Sequence, residues 1–223
     1  MAKVLLIESA TTMCSVAIAD GDEILASQLS NDGFTHAENL TEFIKQVSQQ
    51  SIVLKDIDAV VVSKGPGSYT GLRIGVAAAK GICYALNKPL IAINTLYSLF
   101  SGVKKTHPNF DYYIPMLDAR RMEVYTAIFS NNSELVEDTN ALILDENSFS
   151  NIPKQSKICF FGDGSAKFKT ISKFENAIFV EDAFPFAEFM NEMAQEKFEN
   201  KQFEDVAYFE PYYLKEFYMP QKA

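Results

Sequence analysis

The chain has no tryptophan, two histidines and three cysteines. The histidines, His36 and His107, do not form an H-E-x-x-H pair, which excludes the usual zinc-protease helix. No G-x-S-x-G elbow is present, and a triad needs a nucleophile beside a positioned base, so serine-hydrolase chemistry has no foothold. Cys14, Cys83 and Cys159 are isolated, odd in number and without a C-x-x-C pair, which points to reduced, buried thiols. No apolar run reaches the roughly 20 residues that a membrane helix needs. The N-terminus opens directly into a strand pattern, with no signal-peptide layout, so the expected location is the cytoplasm. Positive charge is also scarce: 20 Lys and Arg stand against 29 Asp and Glu, for a net charge of −9. Such a chain is a poor nucleic-acid binder by itself, and work on RNA would go through a partner.

The most organised stretch is Lys64-Gly65-Pro66-Gly67-Ser68-Tyr69-Thr70-Gly71-Leu72-Arg73. It follows the apolar run Ala59 to Val62, which reads as a buried strand, and precedes a small-residue run from Ile74 to Leu86 with helical spacing. A helix N-terminus behind a glycine loop can hold an anion. The loop is nevertheless not a P-loop, because Gly71 is followed by Leu72 and Arg73 rather than Lys and Ser or Thr. The local pattern favours a tight strand-to-helix turn over a phosphate cradle.

Before this loop, Val4 to Ser9, Ser15 to Ala19 and Glu23 to Leu29 read as three strands, with a hairpin at Asp20-Gly21-Asp22 and a loop at Asn31-Asp32-Gly33. A helix follows from His36 to Gln50, with Ala37, Leu40, Ile44 and Val47 at helical spacing. Thr35 and Glu38 form a capping-box pattern at its start. After the loop and its helix come a strand at Leu90 to Ile93 and a short helix from Thr95 to Ser101. Lys104 to Asn109 is polar and turn-rich, so two domains are expected, 1–103 and 104–223. The second half reads as strands at Tyr113 to Leu117, Glu123 to Phe129, Glu134 to Val136 and Lys157 to Phe161. Helices are expected at Ala166 to Lys173 and from Pro185 onward, with Phe186, Met190, Met193 and Ala194 on one face.

The halves resemble each other. A shift of 110 residues lays Glu8 on Asp118, Ile7 on Leu117, Ala17 on Ala127 and Ile18 on Ile128. A shift of 97 lays Gly65-Pro66-Gly67-Ser68 on Gly162-Asp163-Gly164-Ser165. Each half thus reads strand, acidic residue, strand, turn, strand, with a G-x-G-S tetrad later. A duplicated β-β-β-α-β-α half is the architecture of the actin/sugar-kinase/Hsp70 (ASKHA) superfamily, an α/β fold with two mixed sheets flanked by helices. Fold-level analogy does not assign chemistry.

Leu5-Leu6-Ile7-Glu8-Ser9-Ala10-Thr11, the G-P-G-S-Y-T-G-L-R block, Asp118-Ala119-Arg120 with Glu123-Val124-Tyr125, Gly162-Asp163-Gly164 and Pro211-Tyr212-Tyr213-Leu214 resemble the bacterial TsaB (YeaZ) family, from near residue 3 to about residue 215. The resemblance implies the duplicated fold and a non-catalytic scaffold and dimerisation subunit. Its machinery makes threonylcarbamoyladenosine next to the anticodon of tRNAs reading ANN codons. It also implies the partners: the catalytic paralogue TsaD, the ATPase TsaE, and tRNA only through the complex. The metal-binding H-x-x-x-H of TsaD, laid over this sequence, falls on Thr95 and Leu99, neither a good iron or zinc ligand. No metal and no cofactor are expected. Glu8 stands where the family usually has Asp.

Two sets of site residues follow. Ala37, Leu40, Ile44 and Val47 on one helix, with Gly71, Gly75, Ala78, Ala79 and Ile82 on the next, are expected to build a helix-to-helix interface for TsaD and for self-association. Glu8, Gly65, Gly67, Ser68, Asp118, Gly162 and Gly164 are expected as remnants of a nucleotide cleft, with each carboxylate closing its own turn. Arg120 and Arg121 read as a solvated hairpin tip. The alternative is a nucleotide-dependent small kinase or ATPase of the same fold. A peptidase has no support in the residues.

Overall fold

The computed structural model describes residues 1–31 and 36–215, and of 36–38 the backbone alone. The expected cap at Thr35 and Glu38, most of the Asn31-Asp32-Gly33 loop and the side chain of Ala37 lie outside the described residues. The first half folds as β1 (Lys3–Glu8), β2 (Cys14–Asp20), β3 (Glu23–Ser30), α1 (His36–Gln50), β4 (Ala59–Gly65), α2 (Tyr69–Leu86), β5 (Leu90–Asn94) and α3 (Thr95–Thr106). The second runs β6 (Tyr112–Asp118), β7 (Glu123–Ser130), β8 (Leu135–Ile143), β9 (Ile158–Phe161), α4 (Ser165–Lys169), β10 (Ala177–Val180) and α5 (Asn191–Glu199).

Each half forms a five-stranded sheet, and the two orders match: β3-β2-β1-β4-β5 and β8-β7-β6-β9-β10. In both, the first three strands pair antiparallel and the last two join the first in parallel. The weak sequence repeat therefore corresponds to a repeated topology, the duplicated ASKHA-like α/β fold. β10, which the sequence reading missed, is the counterpart of β5. No helix corresponding to α1 lies between β8 and β9.

β1 and β4 are buried at nearly every position and carry continuous apolar runs, Val4 to Ile7 and Ala59 to Val62, because both faces are covered. Leu5, Ile7, Val60 and Val62 point to a core under α1 and α2, and Val4, Leu6, Ala59 and Val61 to a core on the opposite face, as a two-residue period requires. That opposite core is closed from the far half of the chain, by Ala187, Met190 and Ala194. In return, α3 of the first half contributes Leu96, Leu99, Phe100 and Val103 to a core on the second sheet, with Tyr113, Phe129 and Phe161. The two halves thus exchange their last helices. Between those helices, a Cβ at Gly102 would run into the ring of Phe189.

Three expectations need correction. The break at 103/104 falls inside α3, which runs on to Thr106 with Lys104 and Lys105 in its last turn, where cations face the negative helix end. The polar run of lysines made a helix end look like a linker. The division also does not separate packing units, because residues 187–199 sit on the first sheet. The helix expected at Ala166 to Lys173 is shorter, Ser165–Lys169.

Candidate functional site

α2 begins at Tyr69, earlier than expected, because Ser68 caps it: its hydroxyl accepts from the Gly71 amide at 3.3 Å. Only Pro66 to Ser68 remain as loop. Gly65 has φ 110°, a backbone region suited to glycine, and a Cβ there would also meet the Tyr212 carbonyl oxygen. A Cβ at Gly67 would overlap the Ala10 carbonyl oxygen, which accepts from the Ser68 amide at 2.6 Å. The matching loop repeats this device. Gly162 has φ 102°, and Cβ atoms at Gly162 or Gly164 would press on the β6 backbone at Met116 and Leu117. Both glycine loops are thus shaped by close approach of the chain's own backbone.

The two carboxylates close their turns in the same way. Glu8 Oε1 accepts from the Ala10 amide at 2.7 Å, and Asp118 Oδ1 from the Arg120 amide at 2.6 Å. Their environments differ. Glu8 is fully buried, and burial pushes its pKa up to about 7, against the lowering pull of the Ala10 amide, the Ser63 hydroxyl and the Ser9 amide. The close bond of Ser63 Oγ is to Thr95 Oγ1 at 2.8 Å, which leaves Glu8 Oε2 without a partner in ordinary geometry. The Asp118 side chain is 45% exposed and pairs with Lys167 Nζ at 2.8 Å. The Asp118 amide donates to Asp163 Oδ1 at 2.9 Å, and burial raises the Asp163 pKa. Arg120 and Arg121 are exposed at the β6–β7 hairpin with φ 72° and 50°. Burial pushes the thiols of Cys14 and Cys83 up to about 11 and that of Cys159 to about 12, which keeps them as unreactive thiols. Thr95 and Leu99 are buried on α3.

The expected interface residues divide. Leu40, Ile44 and Val47 of α1 are buried against the first sheet, as are Gly71, Gly75 and Ala79 of α2. A Cβ at Gly75 would meet Ser9 Oγ, so the Gly71/Gly75/Ala79 spacing serves contact with β1 and its following loop. Ala78 and Ile82 lie half-buried at the edge. The outward face of α2 is instead Arg73, Ala77, Gly81, Tyr84 and Ala85. Tyr84 is 87% exposed, and a Cβ at Gly81 would meet nothing within 4 Å. The sequence signal was available: Arg73, Ala77 and Gly81 sit two residues beyond Gly71, Gly75 and Ala79, about 200° around the helix, and Gly81 is the glycine the row leaves unused.

The segment after α5, which carries the Pro211-Tyr212-Tyr213-Leu214 motif, forms no further helix within the described residues. It runs back along the first lobe, pairing Glu204 with Leu90, and Lys80 Nζ donates to the carbonyls of Ala207 and Phe209 at 3.1 and 2.9 Å. It then crosses the glycine corner, where the Tyr212 amide donates to the Lys64 carbonyl at 2.7 Å. A cavity of about 600 Å³ opens between Lys64 and this segment. Among the described residues, no group of three or more His, Cys, Asp and Glu is placed to hold a metal ion, and no helix is long and apolar enough to cross a membrane.

Comparison with known proteins bears on these features together. A family model described as TsaD, tRNA N6-adenosine threonylcarbamoyltransferase, matches residues 30–217. The tRNA threonylcarbamoyladenosine biosynthesis protein TsaB of Bacillus subtilis is 30% identical over 148 residues, 64% of this chain and 63% of that protein. The protein of the same name from Escherichia coli is 28% identical over 148 residues, 65% of this chain and 63% of that one. The matches thus span about 63% of the length of these curated relatives. Among solved structures, YeaZ from Pseudomonas aeruginosa aligns with a TM-score of 0.81 at 21% identity, covering 96% of this chain and 100% of that one, which establishes likeness of fold.

Proposed function

The chain belongs to the TsaD tRNA N6-adenosine threonylcarbamoyltransferase family, in its TsaB (YeaZ) branch, and on that premise we propose that it is a non-catalytic subunit of the machinery that makes threonylcarbamoyladenosine in tRNA. In this reading it docks a TsaD-type catalytic subunit, orders it together with a TsaE-type ATPase, and meets tRNA only through that assembly in the cytoplasm. Without the partner, the same surface pairs two copies of the chain.

The observation that carries the reading is the outward face of α2. A glycine inside an exposed helix costs about 1 kcal/mol relative to alanine. Gly81 gains nothing in return among the described residues, since a Cβ there would meet open space. Beside Ala77 and Ala85 it leaves a shallow track along which a second helix backbone can approach closely, with the exposed ring of Tyr84 as an anchor. The net charge of −9 agrees with leaving the RNA to the partner.

A second reading has one observation in its favour. A buried carboxyl with a pKa near 7 beside a glycine loop is what a catalytic acid looks like. Against it, Glu8 has no exposed surface, and Asp118 is engaged by its own turn and by Lys167. Reconstitution separates the readings. With tRNA and threonylcarbamoyl-adenylate, the isolated chain should modify nothing, and its addition should raise the rate of the TsaD-type subunit. Micromolar binding of ATP and Mg²⁺ to the isolated chain, abolished by Asp118→Ala, would overturn the scaffold reading.

A further inference from the structure

Glu210 to Lys215 lie across the corner where β4 turns into α2, and none of these residues is buried. Upstream, Val206 and Phe209 are packed on the first core. Beyond Phe209 the segment is held by separate attachments: the Tyr212 amide on the Lys64 carbonyl, Tyr213 on the first turns of α2, and an ion pair between Lys215 and Glu123 of β7. A segment with polar anchors and little apolar burial opens locally, without unfolding the cores beneath it.

Tyr213 is the informative anchor. Its ring lies 4.9 Å from that of Tyr69, and its hydroxyl takes the Arg73 Nε–H at 3.2 Å. The guanidinium is held 4.1 Å above the Tyr69 ring. Arg73 is thus fixed from two sides at the head of the outward face of α2, while its Nη groups make no hydrogen bond among the described residues. An arginine in solution loses side-chain entropy when it binds, and one already held in place loses less.

We propose that Glu210–Lys215 is a detachable strap and that Tyr213, when docked, is a positioning residue that presents Arg73 to a carboxylate or backbone carbonyl on a helix laid along α2. The second half of this proposal rests on the reading of α2 as the docking helix; the strap itself does not.

Two measurements on the full chain test it. The first is hydrogen exchange of the free protein. Tyr213→Ala should raise exchange of the amides from Gly65 to Arg73 by about tenfold while those of β1 and β6 stay unchanged. Unchanged exchange at the corner, or a rise shared by both sheets, overturns the strap. The second is affinity for the TsaD-type subunit. Tyr213→Ala should weaken it by about three- to tenfold, and Tyr213→Phe, which keeps the ring, by less. In an Arg73→Ala background, Tyr213→Ala should add nothing, because the two side chains act as one unit. A Tyr213 effect that persists undiminished without Arg73, or no effect in either background, overturns the positioning role. If the unaltered chain does not bind the catalytic subunit, the docking reading falls and this coupling with it, while exchange still decides the strap.

Discussion

At Glu8 one carboxyl oxygen takes the Ala10 amide and the other has no partner, inside a site with no exposed surface. The native pKa, near 7, lies above the value of 4.5 for an unperturbed glutamate, so the folded state keeps the proton longer than the unfolded state. The stability this group contributes is complete below about pH 4.5 and is lost as pH rises to about 7, a loss of roughly 3 kcal/mol. Asp163, also raised by burial, acts in the same direction. Glu8→Gln removes the titration: in urea denaturation it should gain on the unaltered chain by up to roughly 3 kcal/mol between about pH 5 and pH 8. A constant gap would show that Glu8 does not titrate in that window. Two glycines give a contrast at the same scale. Gly67→Ala drives a Cβ into the Ala10 carbonyl and should cost about 1–3 kcal/mol. Gly81→Ala meets open space on a helix and should add about 0.5–1 kcal/mol to the stability of the isolated chain. Thermal melts of the two variants should therefore move in opposite directions.

At the scale of elements, α3 lays its apolar face on the second sheet while still touching β4 and β5 of its own, and the segment 187–199 covers the first sheet. Met190→Ala should consequently cost about 2–5 kcal/mol, although Met190 is distant in sequence from every strand it packs on. It should lower the midpoint of a single transition followed by chemical denaturation; a separate, earlier transition would mean that the second half unfolds alone. This exchange was not legible in the sequence. Periodicity identifies which face of Met190-Met193-Ala194 is apolar, but not which sheet it meets. The strands were legible, because continuous apolar runs such as Val4 to Ile7 report burial on both faces. The G-x-G-S tetrads and the Glu8/Asp118 match also showed the duplication, since turns that bring backbone against backbone need particular residues at fixed places. On α2, the expected interface row Gly71/Gly75/Ala79 faces the chain's own sheet, and Ala77, Gly81 and Ala85 face outward. Small residues recur on both sides, and spacing cannot tell a glycine pressed on Ser9 from one facing open space.

For the whole molecule, the helices tie the two sheets together by packing, while Ala77, Gly81, Tyr84 and Ala85 on the outward face of α2 are exposed. In the scaffold reading proposed above, an acidic chain with this exposed small-residue helix face meets another protein rather than RNA. The complex with a TsaD-type subunit tests this most directly. By titration calorimetry, the unaltered chain should form a stoichiometric complex. Gly81→Arg should abolish it or weaken it by at least about 100-fold, while its thermal midpoint stays within a few degrees, because the new side chain points into open space. A Gly81→Arg chain that folds normally and binds the catalytic subunit with unchanged affinity would contradict the account.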